Sequence, residues 1–457
     1  MGSEMCIRDR FRKLCRYFTL MEWYTILLTG MAILFALFLS GAPIFLAFLF
    51  AILVGVYFII GPAGFPMFAN SILDTVSITS LASIPLFILM GEILFRSGTM
   101  DVLFDSIDKL VGRVRGRQYV LVVALSAVFG ALSGVAMAVA AMLGRAIMPG
   151  MQQRGYDRNI AAGLIIGGAS LAPIIPPSLL AIIVGSIADV SIAKLLIAGV
   201  IPGLLLGGIF LVYVFTRISL NPSLAPANVA SERGEITIAQ QGLAVLRTLP
   251  FLIVIFSVMG FIMLGIATPS ESAATGVVGA IITAAIYRNL SLNMIWESVM
   301  ASITVSAMIL AIMAMSKMFT QLLAFTGATG ELVQLVANLD FSPTMMLIIM
   351  LAVPFLLCMF IDTIAVILLT IPIYQPVVDS LGFDPVWFWL LFLVNITLGA
   401  ITPPFGYTLF AFKAVVPGMT ISDVYRSTWP FVLLFLLGIA LIIVFPSIAT
   451  WLPGVIA

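Results

Sequence analysis

The chain has 457 residues, 62% of them apolar and only 9% charged, with a mean hydropathy of +1.22. A soluble domain carries about 25% charged residues, so most of this protein's outer surface faces lipid and a length-based count of soluble domains does not apply. The absence of histidine excludes Ser-His-Asp triads, histidine-held metals or haem and histidine proton relays; three scattered cysteines exclude a disulfide scaffold, no Gly-Lys-Ser/Thr phosphate loop occurs, and a net charge of +1 argues against a nucleic-acid partner.

Spans of roughly 20 residues predict about 10 to 12 crossings. The first twenty residues hold a basic cluster of Arg8, Arg10, Arg12, Lys13 and Arg16. The apolar stretch after it is interrupted at Gly41-Ala42-Pro43 and lacks a small-residue cleavage pattern, so it reads as two retained spans, 24–40 and 43–60, and not as a signal peptide. Residues 61–81, with Asp74, suit an interfacial helix, and a third apolar run follows at 84–95. The stretch 96–118 carries Arg96, Lys109, Arg113, Arg115 and Arg117, which predicts an amphipathic surface helix on the cytoplasmic side. Three crossings then put the amino terminus outside, whereas the cluster at 8–16 puts it inside. Either the native chain begins at Met21, or one crossing between 61 and 95 is miscounted. Farther on, the polar stretch 221–241 reads as an exposed linker between two halves of similar size.

Those halves share a pattern at a constant offset of 227 residues. Gly155 falls on Gly382, Asp157 on Asp384, Leu171 on Leu398, Ile174 on Ile401, and Pro176-Pro177 on Pro403-Pro404. An internal repeat in a membrane protein suggests paired half-transporters, often of inverted topology, with the substrate site where they meet. Proline removes a backbone donor and blocks a helix, so each Pro-Pro predicts an interrupted helix. In lipid, such a break survives only where protein or a watery cavity satisfies the freed carbonyls. A kink or a surface turn is the alternative.

Upstream of each Pro-Pro lies a second irregular point. Gly130-Ala131-Leu132-Ser133-Gly134 can form the tip of a re-entrant hairpin. Its counterpart is Phe360-Ile361-Asp362-Thr363, where Asp362 has no basic residue within forty positions. An acid at that depth is expensive and by default functional, as an oxygen ligand for a hard monovalent cation or a proton carrier; a snorkelling side chain at a span's end is the alternative. Ser178 and Thr402 place hydroxyls beside the breaks, or simply cap short helices. Glu92, Arg145, Lys194, Glu271, Lys317 and Lys413 read as interfacial anchors or ion-paired groups, with Lys317 and Lys413 held in reserve for an anionic substrate.

The stretches GALSGV (130–135), GYDRNIAAGLIIGGASLAPIIPPSLLA (155–181), FIDTIAVILLTIPIYQ (360–375) and GFDPVWFWLLFLVNITLGAITPPFGYTLFAFKAV (382–415) resemble the large membrane subunit of tripartite ATP-independent periplasmic (TRAP) transporters. The resemblance runs from Met21 to the carboxyl terminus. It implies an all-α, elevator-type sodium symporter of the bacterial inner membrane, with two inverted repeats, re-entrant hairpins and broken helices. Its partners would be a small four-helix membrane subunit and a periplasmic binding protein that delivers an organic anion, usually a carboxylate; sodium would be the coupling ion, with no other cofactor and no enzymatic activity. Carried over by motif, Ser133, Gly134, Pro177 and Ser178 correspond to one sodium site. Asp362, Thr363, Thr402, Pro403 and Gly406 correspond to the second, and Ser133, Ser178, Asp362 and Thr402 supply the ligand oxygens. Many relatives have a second serine where this chain has Val135.

Relatives also begin near a Met-Glu-Trp like Met21-Glu22-Trp23, with the amino terminus outside, which makes 1–20 a non-native tail. The expected organisation is then scaffold helices at 21–81, a first repeat at 82–217 (tip near 133, break near 176), a linker at 218–247, scaffold helices at 248–299 and a second repeat at 300–457 (tip near 362, break near 403). A stand-alone divalent-anion/sodium symporter of similar architecture is the nearest alternative function, and a membrane assembly scaffold is the alternative from another class.

Overall fold

The computed structural model describes residues 23–111, 114–226, 238–338 and 341–456. The amino-terminal tail, Arg113 and the middle of the polar linker, 227–237, lie outside the described residues. Every regular element among them is helical: α1 Trp23–Leu39, α2 Ile44–Gly55, α3 Pro66–Val76, α4 Ser83–Arg96, α5 Thr99–Leu110, α6 Arg117–Ser133, α7 Ala136–Gln153, α8 Arg158–Ala169, α9 Leu179–Ile187, α10 Ile192–Ala198 and α11 Val200–Leu220. After the linker come α12 Ile238–Met263, α13 Pro269–Ile286, α14 Leu292–Phe325, α15 Ala328–Asn338, α16 Pro343–Cys358, α17 Thr363–Leu381, α18 Pro385–Gly399, α19 Tyr407–Val415, α20 Ile421–Val444 and α21 Ser447–Ile456. Among the described residues, seven helical stretches are long and apolar enough to cross a membrane, and six shorter apolar helices accompany them. This is a multi-pass membrane protein.

Helix boundaries follow from local chemistry. Gly155 and Gly382 take left-handed backbone (φ +77° and +66°), which ends α7 and α17 at little steric cost. Asp157 then accepts from the amides of Asn159 (3.0 Å) and Ile160 (2.8 Å), and Asp384 accepts from Trp387 N (2.8 Å), so each aspartate satisfies donors that a helix start leaves open. Thr268 with Glu271 and Thr420 with Asp423 form capping boxes at α13 and α20. At the 227-residue offset, the starts of α6, α7, α8 and α9 fall within one residue of those of α16, α17, α18 and α19. Pro149 in α7 and Pro376 in α17 also correspond.

The chain packs as two compact bodies. One comprises the described residues within 23–79, 307–350 and 364–383. Within it, Phe48 makes ring contacts with Phe38 and Phe319 (5.9 and 6.3 Å between centroids). Lys317 pairs with Asp74 at 3.1 Å, Ser71 bonds Gln321 at 2.9 Å, and Ser316 donates to Leu368 O at 2.9 Å. These bonds tie α14 to α3 and α17.

The other body comprises the described residues within 80–306, 351–363 and 384–456. At its centre are α8 and α18, whose residues from Ile160 to Ala169 and from Trp387 to Gly399 are all buried. A helix apolar on every side belongs in an interior. Arms α6 and α7 both lie against α8, α20 crosses it, and α7 packs on α19, where a Cβ on Gly144 would stand 3.0 Å from the Phe412 ring. Asp108 and Arg117, with side chains 4% and 5% exposed, form a 2.8 Å ion pair near the start of α6.

Candidate functional site

All nine residues singled out in the two halves lie in the second body. In the first half, α6 ends at Ser133. Gly134 turns the chain in left-handed backbone (φ +65°), its amide donating to Gly130 O at 2.7 Å, and extended Val135 opens α7 without a side-chain cap. The tip rests on the break: a Cβ on Gly134 would lie 3.0 Å from Leu179 N and 3.3 Å from Pro177 O. One Cβ on Gly130 would likewise stand 2.8 Å from the Ala172 Cα. The Pro176-Pro177 bond is cis. Beyond it, buried Ser178 donates its hydroxyl proton to Pro173 O and accepts from Ala181 N at 3.1 Å, starting α9. Ser133 Oγ accepts a long bond from Val135 N at 3.4 Å.

In the second half, α16 ends at Cys358 and α17 begins at Thr363, so Asp362 stands at the turn between them and is exposed. From the sequence this acid is expected at a hairpin tip within an apolar stretch; in the structure it stands at the turn between two helices with its side chain exposed. Thr363 is buried and donates to the Tyr407 hydroxyl at 3.1 Å. Thr402, buried at the end of α18, donates to Leu398 O at 2.7 Å. The second Pro-Pro bond, Pro403-Pro404, is also cis. Gly406 N closes the break on Thr402 O at 3.2 Å, and a Cβ on Gly406 would lie 2.6 Å from Ala400 O. Against the hairpin arm, a Cβ on Gly399 would lie 2.5 Å from Cys358 Cβ.

The hydroxyls share one chemical state. A hydroxyl has one proton and two acceptor lone pairs, and in Ser178, Thr363 and Thr402 the proton is committed to an oxygen of the protein. What each has left to offer is electron density. These hydroxyls and the Asp362 carboxylate are all oxygen donors, a chemistry that suits a hard monovalent or divalent cation better than a transition metal. The residues present therefore fit sodium.

Three features were not singled out from the sequence. Tyr407 accepts the Thr363 proton. Phe360 and Phe405, both 56% exposed, make a tilted ring contact at 5.6 Å across tip and break; their counterparts at the 227-residue offset are Ser133 and Ser178. The close approaches at Gly134, Gly399 and Gly406 are the third. Of the scattered charges, Glu92 pairs with Arg96, Lys317 with Asp74, and Glu271 caps α13.

Paired hairpins seated on paired helix breaks, in an all-helical chain with several membrane-crossing helices, define a multi-pass transport protein. Residues 31–448 match the family described as "Tripartite ATP-independent periplasmic transporter, DctM component". The chain belongs to that family, whose members are transport permeases and not enzymes. It is 29% identical over 425 residues to the ectoine TRAP transporter large permease protein TeaC of Halomonas elongata, covering 92% of this chain and 97% of that one. It is 30% identical over 389 residues to the C4-dicarboxylate TRAP transporter large permease protein DctM of Pseudomonas aeruginosa, covering 84% and 89%. Among solved structures, the YdaH transporter of Alcanivorax borkumensis aligns with a TM-score of 0.58 at 15% identity, covering 86% of this chain and 90% of that one. That likeness concerns the fold alone.

Proposed function

We propose that this permease couples inward sodium flow to uptake of an organic carboxylate across the bacterial inner membrane. The observation that carries the reading is the common state of Ser178, Thr363 and Thr402, each with its proton engaged and acceptor capacity remaining beside a helix break. Sodium ligation needs that orientation, and the exposed Asp362 supplies the charge that offsets the cation's. Family membership implies a small membrane subunit and a periplasmic binding protein as partners, and the latter hands over the substrate. Relatives named for ectoine, C4-dicarboxylate, sialic acid and 2,3-diketo-L-gulonate support an organic acid as the substrate class. The recurrence of four helices at one offset supports two repeats of inverted topology whose half-sites meet near the bilayer midplane, moving together in an elevator cycle. The test is reconstitution with both partners: uptake should require a sodium gradient, and uptake unchanged when choline replaces sodium would refute the coupling.

A further inference from the structure

We infer that Tyr407 is a positioning residue for the second cation site, fixing the Thr363 hydroxyl so that its lone pairs, not its proton, are available to the ion. The inference rests on the sodium-coupled reading above and goes beyond it by assigning a role to a residue outside the ligand set.

The geometry has three parts. Thr363 is the first residue of α17 and Tyr407 the first residue of α19, so their 3.1 Å hydrogen bond joins the hairpin tip to the far side of the second break. Thr363 is the donor in this bond, which turns its proton toward the phenol oxygen, with the Cys358 thiol as the other group beside the hydroxyl. Asp362 adjoins Thr363 in the chain, so the acid stands at the same tip as the Thr363–Tyr407 bond.

Ser178 and Thr402 commit their protons to carbonyls of their own helix or break, Pro173 O and Leu398 O. Each is oriented by chain that is near in sequence. Thr363 instead depends on a residue 44 positions away, beyond the break. The first half has no such arrangement: at the 227-residue offset, Asp362, Thr363 and Tyr407 correspond to Val135, Ala136 and Leu180. The latch is thus private to the second half, and its loss should affect one cation site and leave the other intact. A partner that orients a ligating group commonly alters metal affinity by about 10–100-fold when removed. For a singly charged ion held partly by other oxygens, the low end applies.

The test uses the full chain purified in detergent and measures thermal stability as sodium is titrated, with potassium as the control cation. Tyr407→Phe keeps the ring and removes the acceptor. It should leave the sodium-free melting temperature near that of the wild type and raise the sodium concentration for half-maximal stabilisation by about 10-fold. Thr363→Ser, which keeps a hydroxyl, should stay near the wild-type midpoint. Thr363→Val should lose at least as much as Tyr407→Phe, and the double variant Thr363→Val/Tyr407→Phe should be no worse than Thr363→Val alone, because one interaction cannot be lost twice. Should Tyr407→Phe not fold, the two Thr363 variants carry the test: equal midpoints for serine and valine would overturn the inference. A wild-type sodium midpoint in Tyr407→Phe, or additive losses in the double variant, would also overturn it while leaving sodium coupling standing. No sodium-specific stabilisation of the wild type would overturn both.

Discussion

Replacing Gly134 with alanine tests whether the first hairpin tip rests on the first break. Gly134 and Gly382 have nearly the same backbone, φ +65° and +66°, so an added Cβ incurs the same left-handed penalty at each, about 1–2 kcal/mol. They differ in surroundings. A Cβ at Gly382 meets nothing within 4 Å, whereas at Gly134 it would press on Leu179 N at 3.0 Å and Pro177 O at 3.3 Å, both backbone atoms. Overpacking against atoms that cannot rotate away costs about 1–3 kcal/mol. Gly382→Ala should therefore cost about 1–2 kcal/mol, and Gly134→Ala about 2–5 kcal/mol. The difference isolates the contact between tip and break. Unfolding free energies from titration of a denaturing detergent into micelles measure it. A Gly134→Ala variant no less stable than Gly382→Ala would refute the seating of the tip on Pro177 and Leu179.

Asp362→Asn keeps the side chain's shape and removes its charge; it should abolish sodium-dependent uptake with membrane insertion intact, and uptake at the wild-type rate would show the carboxylate to be structural only. Ser178→Ala removes the cap accepting from Ala181 N and should cost about 0.5–2 kcal/mol in the same micelle titration, together with a higher sodium requirement for uptake; a change in stability without a change in sodium dependence would leave Ser178 a cap and nothing more. Asp108→Ala strands Arg117 in a nearly dry site and should cost about 3–5 kcal/mol, whereas Glu297→Ala breaks a pair with Arg96 at 3.2 Å whose members are 51% and 38% exposed and should cost under about 1 kcal/mol. Similar losses at the two sites would contradict the difference in burial.

The sequence carries the places where the helices break, because proline, glycine and capping aspartate act on their own backbone. Pro176-Pro177 and Pro403-Pro404, the left-handed Gly155 and Gly382, and the caps Asp157 and Asp384 are all readable without neighbours. Contacts between the elements are not readable that way. Tyr407 stands between Gly406 and Thr408 in a largely apolar run, and nothing local to it announces the approach of Thr363; the one signal in the sequence is that a tyrosine stands where the other half has Leu180. Phe360 and Phe405 look like ordinary apolar residues until their rings meet at 5.6 Å.

One close approach between hairpin arm and broken helix recurs in the two halves with the glycine on opposite sides. Gly130 lies on the hairpin arm against Ala172 of the broken helix, whereas Gly399, which corresponds to Ala172 at the 227-residue offset, lies on the broken helix against Cys358 of the hairpin arm. Gly134 on the first tip lies against Leu179 on the break, but Gly406, the counterpart of Leu179, lies against Ala400 O within its own break. Close packing requires one small residue per contact and is indifferent to which side provides it. Shared geometry therefore does not imply shared residue roles. Ser133 and Ser178 become Phe360 and Phe405, and Val135 becomes Asp362, so the first half supplies hydroxyls at its tip and break where the second supplies a carboxylate and a threonine oriented by a phenol. Substitutions at corresponding positions should for that reason differ in effect, and a role assigned in one half has to be argued again from the contacts of the other.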